Sequence, residues 1–276
     1  MNTPPTIALV TPSFNQAAYL GRTLNSVIGQ GYPHLEYVVM DGASTDGSVA
    51  LIEAAAHALH AWESQPDGGQ ADAINRGFAC TSGEIMGWLN SDDVLLPDCL
   101  HTIGDIFAQF PQIMWITGLG LTIDAADRVI QTRTPFGYFK PLIRHGWYHG
   151  RGLGFVRQEG TFWRRALWEQ AGGYVDEPRH MSMDYDLWRR FAVYADLVTV
   201  EQPLAAYRVH DLQKTADLSR YYAEIGTRLP SWTRAITLPM RAVLTPLVFP
   251  LSPRLTWDGT RSRWQFHPGA TFERAF

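Results

Sequence analysis

Asn90-Ser91-Asp92-Asp93 sets two carboxylates side by side directly after an apolar run, Ile85 to Leu89. That run is short and carries the small Gly87, which predicts a buried strand. Two acids at the carboxyl end of such a strand repel each other and lose hydration. A hard divalent cation that also holds phosphate oxygens is the usual compensation. The structural alternative is that Ser91 or Asp92 caps the helix that follows Pro97. Three further polar clusters could take part in the same chemistry: Thr11 to Asn15, Asp41 to Asp46, and Asp67 to Gln70.

The elements that must position these clusters follow from periodicity. Ile7 to Thr11, Leu35 to Met40 and Ala61 to Ser64 read as strands. Tyr19 to Gln30, Val49 to Leu59 and Ala71 to Ala79 read as helices. Strand and helix thus alternate through the first hundred residues, which predicts βαβ units and a doubly wound, mostly parallel sheet with helices on both faces. Ligands bind beyond the carboxyl ends of the strands in such sheets, and all four polar clusters stand at such ends. Strand one runs into Thr-Pro-Ser-Phe-Asn, without the G-x-G-x-x-G of a dinucleotide fold or a G-x-x-x-x-G-K-[ST] phosphate loop. A phosphate here is therefore expected to be held through a metal rather than a glycine cradle.

After Pro97 the spacing predicts a helix over Cys99 to Phe110, a strand over Ile113 to Gly118 and a hairpin turning at Asp124 to Asp127. His145 to Gly154, rich in glycine and aromatic residues, reads as a loop. A strand around Gln158 to Trp163, helices over Arg165 to Ala171 and Asp184 to Tyr194, and two short strands around Leu197 and Leu204 complete the pattern. The chain is divided as a domain over 1–227, with halves 1–97 and 98–227, and an extension over 228–276. That extension has seven arginines and no lysine against two carboxylates, and six prolines. It reads either as a segment packed back on the domain or as an apolar, Arg-flanked stretch lying on an anionic membrane or a partner.

The net charge of -4 gives no basic field, so nucleic acid is not an expected partner. Cys80 and Cys99 form no metal-type pair and read as reduced thiols of a cytoplasmic protein. No signal peptide is expected at the start, and no apolar run reaches the about 18–20 residues of a spanning helix. The expected location is the cytoplasm, with peripheral contact at the inner membrane face through 228–276.

In order along the chain, these motifs resemble family two of the inverting glycosyltransferases. Val10-Thr11-Pro12-Ser13-Phe14-Asn15 is similar to the family's opening T-P-x-Y/F-N, and Asp41-Gly42-Ala43-Ser44-Thr45-Asp46-Gly47-Ser48 to its D-G-S-T-D-G-T/S element. Asp67-x-Gly69 and Asp72-Ala73-x-Asn75-Arg76-Gly77 resemble its third block. Trp88 to Asp93 resembles its D-x-D region, Gln158 to Phe162 with Arg164 and Gly172-Gly173-Tyr174 its acceptor-side block, Asp184 to Trp188 its E-D region, and Tyr207 to His210 its C-terminal histidine element.

The resemblance implies a GT-A fold and an inverting, metal-dependent transfer from a nucleoside-diphosphate sugar, UDP-linked first of all, to a glycan or lipid-linked acceptor. It implies that Asp41 bonds the base, that Pro12, Ser13 and Asn15 line the nucleotide pocket, and that Asp67, Gln70, Asn75, Arg76, Asn90 and Ser91 extend it. Asp92 and His210 are the implied ligands of Mn2+ or Mg2+, Gln158, Trp163 and Arg164 the acceptor side, and Asp184 the general base. Two positions depart from the pattern: Asn90 replaces the first acid of D-x-D, and Met183 replaces the glutamate before Asp184. These departures keep open a non-catalytic sugar-nucleotide binder. A sugar nucleotidyltransferase is the other alternative, against which stands the missing glycine-rich basic loop. Asp41 and Asp46 could be turn formers, His210 a surface histidine, and Asp184 or Asp186 a first-turn helix acid.

Overall fold

The computed structural model describes residues 4–211, 213, 214, 218–226 and 233–270. β1 (Ile7–Ser13) leads into α1 (Ala17–Ile28), β2 (Leu35–Asp41) into α2 (Ser48–Ala55), and β3 (Ala61–Ser64) into α3 (Gln70–Ala79). β4 (Ile85–Trp88) ends at the acid pair. Next come β5 (Val94–Leu95), α4 (Cys99–Gln109), β6 (Trp115–Thr117), β7 (Gly120–Ile123), β8 (Val129–Arg133) and α5 (Lys140–Arg144). They are followed by β9 (Thr161–Arg164), α6 (Arg165–Gln170), α7 (Met183–Tyr194), β10 (Leu197–Val200) and β11 (Ala205–Arg208). The described chain closes with α8 (Ser219–Glu224), α9 (Thr233–Val248), β12 (Arg254–Asp258) and β13 (Arg263–His267).

Nine strands form one mixed sheet in the order β13-β12-β10-β6-β9-β4-β1-β2-β3. β3, β2, β1 and β4 run parallel, as the βαβ alternation predicts, and β9 enters antiparallel between β4 and β6. A second sheet, β5-β11-β7-β8, stands beside it. The period of two along β1 sends alternate residues to opposite faces. Ile7 and Leu9 join Leu20 of α1, Ile52 of α2 and Leu100 of α4 in one core; Ala8 and Val10 join Ile74 of α3, Leu167 of α6 and Leu187 of α7 in the other. The sheet is thus covered on both faces. Gly77 shows how closely α3 lies on it, since a Cβ there would stand 2.5 Å from Val10 Cγ1.

Beyond residue 227 the described chain packs back on the domain. β12 pairs parallel with β10, β13 pairs with β12, and Leu255 and Trp264 are buried in the core. The reason is the free edge of β10, which a parallel strand covers. The apolar stretch expected to be broken by proline is instead the 16-residue helix α9, with Pro239 and Pro246 inside it. Each proline frees the carbonyl four residues earlier, here those of Ala235 and Ala242, both on exposed residues where water can replace the lost bond. Arg228, Arg274 and the side chain of Arg234 lie outside the described residues. Among the described residues no helix is long and apolar enough to cross a membrane.

Candidate active site

The ends of β1, β2, β3 and β4, the turn before β9 and the start of α7 open on one cavity of about 870 Å3. Pro12 and Ser13 line it where β1 ends. Ser13 Oγ is buried beside this space without a hydrogen-bond partner among the described residues, an arrangement that suits a ligand group. Asn15 is exposed and does not line the cavity. Its backbone is left-handed (φ 51°), its Oδ1 accepts the Thr45 N–H at 2.9 Å, and its own N–H donates to Ser44 Oγ at 2.8 Å. Asp41 is buried behind Gly42 and accepts the Ser44 N–H at 2.8 Å and the Ser44 and Ser64 hydroxyls at 2.5 and 2.7 Å. A carboxylate offers about four acceptor sites, so one remains for a ligand. Asp67 lines the cavity and accepts the Gly69 N–H at 2.8 Å.

The two neighbouring acids after β4 part company. Asp92 lines the cavity with Ser91, whereas Asp93 is 1% exposed. Burial, reinforced by Asp92 and Glu159, holds the Asp93 carboxyl well above the usual range. Asp93 accepts the Arg208 N–H at 2.8 Å and the Asn90 amide at 3.2 Å, so it ties β11 to the acid loop. Thr23 of α1 donates to the carbonyls of Ser91 and Asp93, and the buried Arg208 guanidinium to that of Asp92. The Asp92 carboxylate is thereby fixed, 3.0 Å from His210 Nε2, while the His210 ring lies 4.5 Å from that of Tyr19. Carboxylate plus imidazole is a donor set that suits Mn2+ or Mg2+, with phosphate oxygens and water completing the shell. Among the described residues no third acid, histidine or cysteine joins them.

Asn90 acts as the hub of an amide chain. Its Oδ1 accepts from Gln70 at 2.7 Å, its amide donates to Gln158 at 3.1 Å, and Gln158 donates to the Trp88 carbonyl at 2.6 Å. Lys214 donates to Gln70 at 2.9 Å. An aspartate at 90 could not donate to Asp93 and Gln158. The departure from D-x-D thus links the end of β4 to α3 and to the turn before β9.

Asp184, on the first turn of α7, lines the same cavity, and burial pushes its pKa up to about 6 despite a 2.7 Å bond from the Tyr185 N–H. Desolvation outweighs the favourable field of the helix N-terminus in setting this value. Asp186 is turned away, bonded to Arg190 at 2.9 Å and near Arg179 at 3.6 Å. Met183 lines the wall where the family pattern has its glutamate, and the buried Glu159 supplies a further cavity carboxyl, raised in pKa by burial. Glu159 and Lys214 are cavity residues that the sequence does not single out: Glu159 lies inside the Gln158 to Phe162 block among polar neighbours, and Lys214 carries no local signal.

Four expected site residues lie elsewhere. Asn75 clamps the Val175 backbone through both ends of its amide, and Arg76 pairs with Glu63 and Asp72. Trp163 is packed among Trp88, Trp168, Trp188 and Phe191. Arg164 pairs with Glu84 and donates to the carbonyls of Phe107, Phe110 and Ile113. The strand register explains the last two: β9 starts at the cavity and runs antiparallel to β4, so Arg164 pairs with Ile85 at the far end.

The Glycosyl transferase family 2 model matches residues 8–139, which hold the cavity walls at the ends of β1, β2, β3 and β4. An uncharacterised glycosyltransferase of Mycobacterium tuberculosis is 29% identical over 247 residues, 83% of this chain and 90% of its own. A Staphylococcus aureus TarS fragment, solved with UDP-GlcNAc, superposes with a TM-score of 0.62 at 15% identity; the match covers 87% of this chain and 66% of that one. The mannosyltransferase PcManGT of Pyrobaculum calidifontis, solved with GDP-Man and Mn2+, superposes with a TM-score of 0.60 at 17% identity, over 90% of this chain and 73% of its own. Motif order, fold and sequence similarity agree: over residues 8–139 the chain matches family 2 of the glycosyltransferases, and it has the GT-A fold.

Proposed function

We propose that the cavity holds a nucleoside-diphosphate sugar, UDP-linked, and that the enzyme transfers its sugar with inversion to a hydroxyl of a glycan or lipid-linked acceptor. The observation that carries this reading is the convergence of Asp92 and Asp184, from opposite halves of the chain, on one cavity. Pro12, Ser13, Asp41, Asp67, Gln70 and Ser91 serve the nucleotide side, and Asn90 and Gln158 join it to the acceptor side. Asp92 and His210 would hold Mn2+ or Mg2+, and a cation there neutralises charge on the diphosphate leaving group. Asp184 takes the acceptor hydroxyl's proton as the new C–O bond forms at the anomeric carbon and the bond to the diphosphate breaks. Its raised pKa makes it a stronger base than an ordinary carboxylate while leaving it mostly ionised at neutral pH. The nucleotide sugars bound by TarS and PcManGT, and the Mn2+ of the latter, support this donor class.

Thermal shift with UDP-, GDP- and dTDP-sugars, each with and without Mn2+, tests the donor. Ligands that bind the native state raise apparent stability, by about 2.7 kcal/mol at a hundredfold excess over Kd. A metal-dependent rise for UDP-sugars is expected. No rise with any of the three would sink the reading.

Peripheral membrane contact belongs to the same proposal. The outward residues of α9 include Ile236, Pro239, Met240, Val243 and Leu247, with Val243 and Leu247 70% and 69% exposed. An uncharged stripe of this kind, in a basic segment, suits an anionic lipid surface. Val243→Asp with Leu247→Asp is expected to lower co-sedimentation with phosphatidylglycerol vesicles at least severalfold; unchanged binding would contradict the contact.

A further inference from the structure

A second, smaller space of about 90 Å3 opens beside the cavity, about three waters' share of liquid volume. It shares Arg133, Phe155, Arg157 and Leu218 with the cavity, so the two are contiguous. Arg133 enters from the end of β8, Arg157 from the turn before β9, and Arg241 from the inward face of α9. Three guanidinium groups thus share a pocket that holds about three water molecules.

For Arg157 and Arg241 the local partners do not account for this charge. Arg157 has Glu159 at 3.8 Å and the Thr122 hydroxyl at 3.5 Å, both long contacts that leave guanidinium donors over. Arg241 has no carboxylate within ion-pair distance among the described residues, and its Nε is buried without a hydrogen-bond partner. Burial pulls its pKa down. The nearby phenols do not supply a negative charge: Tyr138 donates to the Phe155 carbonyl and Tyr148 to that of Gly137. Burying a cation without a counter-ion is costly, yet the backbone makes room for this one. Gly154 has φ +96°, and a Cβ there would stand 2.6 Å from Arg241 Nη2. On a helix whose outward face is apolar, Arg241 is the charged side chain directed inward.

Resting on the glycosyltransferase reading above, we propose that this side pocket is an acceptor subsite for a phosphate group, a phosphomonoester or phosphodiester carried by the molecule that receives the sugar. Guanidinium forks match phosphate oxygens in pairs, and several forks around one tetrahedral anion satisfy donors that a single carboxylate would leave idle. The pocket adjoins the cavity on the Arg157–Glu159 side, so an anion held there tethers the acceptor beside Asp184's cavity. The phosphate could be part of a soluble ester or of a lipid headgroup.

The test uses the full chain with the nucleotide pocket filled by saturating UDP and Mg2+. Glycerol 3-phosphate is titrated and followed by phosphorus NMR, and phosphatidylcholine vesicles with and without phosphatidic acid form the lipid arm. Saturable binding of glycerol 3-phosphate is expected, weakened about tenfold in Arg241→Gln, the scale of one lost charge-assisted hydrogen bond. Arg241→Lys should retain most of it, and Arg133→Gln, at the exposed rim, should weaken it too. A phosphatidic acid preference that Arg241→Gln removes assigns the source to a headgroup; ester binding without that preference assigns it to a soluble acceptor. Absence of saturable binding by the wild-type protein, or equal binding by the wild type and both glutamine variants, would overturn the subsite. Wild-type hydrolysis of UDP-sugar separates the two failures: hydrolysis without ester binding sinks the subsite alone, and absence of both sinks the donor reading as well.

Discussion

Asp184→Asn is expected to lower turnover by roughly 100-fold or more, the usual scale for loss of a general base. An acceptor hydroxyl is a poor nucleophile until its proton has somewhere to go. Asp184 is the α7 carboxylate that lines the cavity, and its pKa of about 6 reflects burial. The amide keeps the size of the side chain but cannot take the proton. Donor affinity should change little, because the base acts on the acceptor. Asp186→Asn is the internal control: its carboxylate is engaged by Arg190 and Arg179, so its loss should appear in stability rather than in turnover. Near-normal transfer by Asp184→Asn with a large loss in Asp186→Asn would show that the roles are reversed.

Asp92→Ala should abolish metal-dependent donor binding while leaving the fold intact. The loop that carries Asp92 is held by bonds that do not use its carboxylate: Thr23 and Arg208 grip carbonyls, and Asp93 grips β11. Removing the side chain would therefore delete the proposed cation ligand without loosening its support. His210 alone is a weak site for a hard cation. Calorimetric titration of UDP with and without Mn2+ reads the difference. Retention of the Mn2+-dependent increment in Asp92→Ala would remove Asp92 as the ligand.

The βαβ alternation was legible because each strand of the first half is a short apolar run ending in a polar turn, and these turns set Ser13, Asp67, Gln70, Asn90 and Asp92 around the cavity. Which residues of a motif face the ligand was less legible. Gln70 begins α3 at the cavity, but Asn75 lies five positions on, about 140° around the helix and about 7.5 Å along it, where it reaches Val175 instead. Trp163 and Arg164 follow Gln158 in sequence, yet β9 carries them away from the cavity. The tail was harder still. Nothing local in Arg254 to Asp258 says that it adds to a sheet begun about 250 residues earlier, and Arg241 gains its meaning only from the glycine, phenols and arginines that the fold gathers around it.

The central claim, that Asp184 acts as base toward a nucleotide sugar held in this cavity, is tested most directly by the pH dependence of UDP release from the UDP-sugar that binds. Water takes the acceptor's place in this assay, so no acceptor need be identified. The base must be ionised, so the rate should rise with pH through a midpoint near 6, the value burial gives Asp184, and fall about tenfold per unit below it. In Asp184→Asn the residual rate should lose that limb. A wild-type midpoint near the ordinary carboxylate value of about 4, or the same limb persisting in Asp184→Asn, would contradict the account.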